Sequence, residues 1–234
     1  MSEKEEEVEV MATVEQEIEP LVAGDHLTRD EFLRRWEAMP ELKFAELIGG
    51  VVFMPSPLSV EHGEVDIYVA HWLAHYAMLT PGLKPASNVT CHMLKDAPQP
   101  DLYLRLPPEL GGTARVKGKY LIGAPEFIAE ICLTSASFDL YEKMDLYRIA
   151  GVKEYLTVLV NDQEVRWHRL VRKNYKIVPA SREGTYRSEV FPGLWLDAPA
   201  LLEGNMLKVI ETLERGLQTP EHAAFVKHLS SRRS

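Results

Sequence analysis

The chain has 234 residues, enough for one sizeable core with a small appendage. Its 46% hydrophobic and 26% charged residues are those of an ordinary globular protein, and no apolar run is long enough to span a bilayer. The net charge is −9, but residues 1–20 hold eight glutamates against Lys4, so the remainder is near neutral and free to present a local basic face.

The acidic start, residues 1–25, is neither basic nor apolar enough for a secretory signal and reads as a disordered tail. The folded body is expected over 26–217. Thr28-Arg-Asp-Glu31 has capping-box spacing, and Phe32, Leu33 and Trp36 give the helix that follows an apolar side. Phe44–Ile48, Gly49-Gly50 and Val51–Met54 read as a hairpin with a glycine turn, ended by Pro55 and Pro57. Ser59 then caps a long helix to Leu79, whose Val65, Val69, Trp72, Tyr76 and Leu79 fall on one stripe. Strands are expected near 83–94, 101–106 and 126–133, the last two separated by a loop with Pro107-Pro108 and Gly111-Gly112. Ser137 or Asp139 caps a helix to Ala150, and Gly151 stops it. Strands near 152–160, 164–170, 174–179 and 186–191 come next, then a helix over 198–214 and a loosely attached end, 218–234. Strands and helices alternate only in part. The pattern implies a single α/β domain, a mixed sheet flanked by helices.

Charge stands out where the pattern demands apolar residues. Asp101 opens the run Leu102-Tyr-Leu-Arg-Leu106. Glu130 sits inside Phe127-Ile-Ala-Glu-Ile-Cys132, a strand apolar on both faces. Lys143 falls on the inward side of the next helix with Leu140 and Tyr147. Such groups are costly unless they are paired, hydrogen-bonded or bound to metal. Two acids and a lysine are the minimal equipment of a Mg²⁺- or Mn²⁺-dependent phosphodiesterase. Asp101, Glu130 and the Ile131 carbonyl would ligate the cation, and Lys143 would steady the developing charge. A buried Glu130–Lys143 ion pair serving stability alone is the other reading of the same spacing.

Further residues divide between chemistry and structure. His62, in the first turn of the long helix, could contact a phosphate or be a structural histidine. His71 and His75 are one turn apart but lack the glutamate of a zinc peptidase, and read as a solvated face. Cys91 and Cys132 read as buried thiols of a reducing, cytoplasmic compartment, not a disulfide. Arg166, Arg169, Arg172, Lys173 and Lys176, interleaved with Trp167 and Tyr175, could track a DNA backbone or form a solvated sheet face. Arg115, Lys117 and Lys119 are a weaker basic group.

The chain resembles the Uma-two-like restriction-endonuclease family within the PD-(D/E)XK nuclease superfamily. The landmarks are Ala45-Glu-Leu-Ile-Gly-Gly50, Met54-Pro-Ser-Pro57 with His62, Pro100-Asp101, Pro125-Glu-Phe-Ile-Ala-Glu130, Asp139-Leu-Tyr-Glu-Lys143 with Tyr147, and Gly151-Val-Lys-Glu-Tyr155. The resemblance implies a restriction-endonuclease-like fold, DNA as substrate and a homodimer. It implies that Asp101 and Glu130 bind the metal, that Glu46 adds a third acid reaching it through water, and that Lys143 replaces the strand lysine, whose usual place is Cys132. Leu156, and Leu133-Thr-Ser-Ala-Ser137, depart from the family pattern. A catalytically inactive, nucleic-acid-binding or regulatory descendant is the alternative.

Overall fold

The computed structural model describes residues 18–54, 59–133 and 138–232, and of residues 138–140 the backbone alone. The acidic segment 1–17, the Pro55 and Pro57 stop, the candidate cap Ser137 and the side chain of the other candidate, Asp139, lie outside what is described.

The first layer is a helix, α1 (Arg29–Glu37), packed on a hairpin of β1 (Glu46–Ile48) and β2 (Val51–Phe53). Thr28 caps α1, its Oγ1 accepting the Glu31 amide. Gly49 and Gly50 have φ of +60° and +77°, the left-handed pair that a two-residue hairpin turn requires. Phe32, Ala45, Leu47, Val52 and Ala97 form a small core of their own, joined by Leu21. The ordered body therefore begins before the expected His26.

Helix α2 (Val60–Leu79) follows, with Ser59 Oγ accepting the His62 amide at its start. Then come β3 (Lys84–Ser87), β4 (Cys91–His92), β5 (Leu102–Arg105), β6 (Arg115–Lys117), β7 (Tyr120–Ile122) and β8 (Phe127–Cys132). Helix α3 (Phe138–Ala150) leads to β9 (Glu154–Leu159), β10 (Glu164–Val171) and β11 (Asn174–Ile177). The chain ends with β12 (Thr185–Arg187), β13 (Trp195–Asp197), α4 (Ala198–Leu202), α5 (Met206–Leu217) and α6 (Pro220–Ser231).

Among the described residues the main sheet has the order β11–β10–β9–β8–β5–β3. Every neighbouring pair is antiparallel except β8 and β9, which run parallel through the α3 crossover. The central strands are buried on both faces, so they read as unbroken apolar runs. On one face α2 sets Val65, Val69, Trp72 and Tyr76 against Leu104, Phe127, Ala129, Leu156 and Trp167. Trp72, Phe127 and Trp167 meet edge to face, with centroids 5.4–6.1 Å apart. On the other face α3 contributes Leu146 and Tyr147 against Tyr103, Ile128, Tyr155 and Leu159. This is an α/β fold, a mixed sheet flanked by helices.

Four details differ from the sequence expectation. Leu79, expected on the buried stripe, is 46% exposed, because at that end of α2 the buried face has drifted to Tyr76, Ala77 and Thr80. The loop after Pro107-Pro108 contains the hairpin β6–β7, turned at Gly118, and β6 is wholly exposed and so carries no apolar alternation. The helix expected over 198–214 breaks at Gly204, φ +70°, and restarts with Asn205 as cap. Most of 218–234, expected to be loosely attached, forms α6. Its Leu229 is buried, and its His222 bridges Thr80 Oγ1 and the Leu217 carbonyl at 2.9 Å each.

Candidate active site

The antiparallel register of β5 and β8 pairs Leu102 with Ala129. One further step along that register brings Asp101 beside Glu130, so the two acids come together at one end of the sheet. Asp101 Oδ2 accepts the Ile131 amide at 2.8 Å, which ties its carboxylate to the partner strand. The hairpin delivers Glu46. Leu47 and Ala97 exchange two main-chain hydrogen bonds, at 2.9 and 3.2 Å, and Glu46 Oε1 then accepts the Gln99 amide at 2.6 Å. The fourth group comes from the crossover helix. Lys143 Nζ lies 3.0 Å from Glu46 Oε2 and 3.2 Å from Glu130 Oε2. Tyr147, one turn later, donates its hydroxyl to Glu130 Oε1 at 2.6 Å.

The electrostatics follow from burial and crowding. Burial pushes the Glu130 carboxyl up to about 7; Lys143 pulls it down and Asp101 pushes it further up. Burial likewise raises Glu46 and Asp101, each held back in part by Lys143. Burial opposes the charge on Lys143, but Glu130, Glu46 and Asp101 outweigh it and hold the ammonium well above its ordinary value. Lys143 is therefore a fixed cation. The expected ion pair with Glu130 exists, and it extends to Glu46.

Helix α2 closes the other side. His62 Nε2 lies 2.8 Å from the Ile131 carbonyl and the residue is 8% exposed, so it is a buried, hydrogen-bonded histidine beside the strand that carries Glu130. Asp66, one turn on, acts electrostatically on Asp101. Sequence reasoning passed over Asp66 and gave Tyr147 no role. Their spacings, four residues from His62 and four from Lys143, were the available signals.

The donors are hard oxygens, which suit Mg²⁺ or Mn²⁺ better than zinc. Among the described residues no group of three or more His, Cys, Asp or Glu side chains is arranged to hold a metal ion. Mg²⁺ does not need one, since it takes one or two carboxylates and completes its shell with water and phosphate.

A family model described as "Putative restriction endonuclease", Uma2, matches residues 29–199, which include Glu46, His62, Asp66, Asp101, Glu130 and Lys143. The chain belongs to the Uma2 family. A solved structure, described as a putative nuclease belonging to DUF820 from Anabaena variabilis ATCC 29413, is similar at TM-score 0.59 and 14% identity. The match covers 76% of this chain and 98% of that one, and establishes the likeness of fold. Comparison with curated proteins gives no match.

In this Uma2 chain the basic segment is not gathered into one patch. Arg166 shares the α3 face with His168, which stacks on Tyr155, and is held by Glu164 at 2.7 Å. Arg169 points to the opposite face, beside Lys176 in the β10–β11 register, and pairs with Glu189. Arg172 and Lys173 form the turn, with φ of +47° and +69°. Arg148 donates to the Lys173 carbonyl, so this turn lies near the C-terminal end of α3. Register carries it past the start of β8, away from Glu130 and Ile131. Cys132 lies two residues after Glu130 on the same strand, and no disulfide joins it to the buried Cys91. His75, expected in solvent, instead packs between α2 and α5 with Glu214 3.9 Å away.

Proposed function

We propose that this Uma2 chain is an endonuclease that hydrolyses DNA phosphodiester bonds with Mg²⁺ or Mn²⁺. The observation that carries this reading is the convergence of Asp101, Glu130 and Glu46 from three segments around one buried ammonium, Lys143. Asp101, Glu130 and the Ile131 carbonyl would hold the cation, with Glu46 reaching it through water. When bound, the cation supplies a water of lowered pKa and offsets charge on the phosphate. Lys143 would stabilise the oxygens that gain negative charge, and its pair with Glu46 would hold it there if Glu130 served the cation. Tyr147 and the Gln99 amide fix the orientation of the two glutamates. His62 and the hairpin residues Arg166, Arg169, Arg172, Lys173 and Lys176 are the candidate DNA contacts. The exposed pairs of Arg166 and Arg169 are weak enough to yield to phosphate. A homodimer would set two such sites on two strands. The two thiols, not joined as a disulfide, fit a reducing cytoplasm. Among the described residues no helix is long and apolar enough to cross a membrane.

A second reading, a nuclease fold that binds without cutting, draws on Glu130, whose two oxygens are already engaged by Lys143 and Tyr147. Supercoiled plasmid incubated with Mg²⁺ or Mn²⁺ separates the two. Nicking by the wild type that is lost in Asp101→Asn supports the endonuclease; this variant keeps an oxygen for the Ile131 amide and so preserves the fold. DNA binding without nicking supports the second reading. Nicking that persists in Asp101→Asn removes Asp101 from the mechanism.

A further inference from the structure

We propose that Asp66 is a further member of this site, and that with His62 it receives a water of the cation's coordination shell. The inference rests on the cation-dependent reading above. Two buried atoms one helical turn apart have no hydrogen-bond partner among the described residues, Asp66 Oδ1 and His62 Nδ1. The Ile131 carbonyl only accepts, so the proton facing it sits on His62 Nε2, and in the neutral ring Nδ1 is left as a bare acceptor. The Asp66 carboxylate is an acceptor as well. Two stranded acceptors on one face of α2 call for a molecule with two hydrogens to give.

Among the described residues no donor reaches either atom. Lys143 is committed to Glu46 and Glu130. Three carboxylates, Glu46, Asp101 and Glu130, act on that one ammonium, Asp66 acts on Asp101, and among the described residues neither Asp66 nor Asp101 has a salt-bridge partner. Asp66 is close enough to Asp101 that, after burial, its charge is among those raising the Asp101 carboxyl. A water bound to a cation on Asp101 meets every requirement. Such a water would give a lone pair to the metal, keep both hydrogens for Asp66 and His62, and be a stronger donor than bulk water. Asp66 is then a positioning residue that acts through that water.

Mn²⁺ binding followed by electron paramagnetic resonance, beside thermal unfolding of the metal-free protein, tests the assignment in the full chain. Asp66→Leu removes the acceptor and keeps the volume. It is expected to bind Mn²⁺ about tenfold more weakly than wild type, yet to melt at the same or a higher temperature, because a buried unpaired acceptor is gone. Asp66→Asn, which retains a carbonyl oxygen, is expected to regain most of the affinity. Equal Mn²⁺ affinity in wild type and Asp66→Leu overturns the assignment and leaves the endonuclease reading intact. A loss of affinity that comes with a loss of melting temperature also overturns it, since a structural role suffices. If the wild type binds no Mn²⁺, the cation reading fails and this inference goes with it.

Discussion

Lys143 is buried, yet three carboxylates keep it charged, and that balance makes it structural as well as chemical. Removing it leaves Glu130 beside Asp101 with only the Tyr147 hydroxyl in compensation. Lys143→Met is therefore expected to lower stability by about 3–5 kcal/mol, read from urea denaturation; an unchanged midpoint would show that the pair is dispensable. A second buried acid, Glu154, lies at the other end of the sheet. Burial pushes its carboxyl up to about 7, while the Ser188 hydroxyl and the amides of Glu189 and Val190 pull it down. Because the folded state holds this proton more tightly than the unfolded chain, the stabilisation is complete in acid and is lost as pH rises through about 7. Between about pH 5 and 8 the wild type should lose on the order of 2 kcal/mol relative to Glu154→Gln. Parallel pH profiles for the two proteins would contradict this. Glu130, Asp101 and Lys143 were legible in the sequence because each interrupts an apolar pattern. Asp66 was not, because an acid on a long helix looks solvated until the sheet beneath it is known.

At the scale of elements, the site is assembled by short connections that hold strand ends in register. The β1–β2 turn is the most exacting of them. Gly50 has φ +77°, donates its amide to Asp96 Oδ1 at 3.0 Å and accepts the Leu27 amide at 2.8 Å. A β-branched residue there meets both the left-handed backbone penalty and the nearby Leu27 carbonyl. Gly50→Val is expected to cost about 1–2 kcal/mol in chemical denaturation and, by loosening Glu46, to weaken the hold on Lys143. A variant as stable as wild type would mean the turn tolerates another conformation. This hairpin, α2, α3 and the central strands were readable from caps, glycines and apolar runs. The β6–β7 hairpin and the α4–α5 break were not. Strands of three residues with exposed side chains carry no periodicity, and Gly204 interrupts a stretch whose apolar content alone reads as one helix.

At the scale of the molecule, the C-terminal helix is part of the core that supports the site from behind. Leu229 packs into the α2-side cluster, His222 links Thr80 to Leu217, and Arg232 reaches the Leu110 carbonyl at 3.3 Å. Leu229→Ala is expected to cost about 3 kcal/mol by urea denaturation, whereas a loosely attached end would tolerate it. This docking escaped the sequence because only His222 and Leu229 of α6 are buried and their contacts are distant in the chain. The fold as a whole places two acids at the ends of adjacent strands, a lysine on the crossover helix and a histidine on the helix opposite. Crystals of the protein soaked in Mn²⁺ test that arrangement most directly. The account predicts an anomalous peak about 2.1 Å from oxygens of Asp101 and Glu130, with Lys143 still on Glu46. At saturating Mn²⁺, an absence of any peak there, with Glu130 still held by Lys143 and Tyr147, would contradict it.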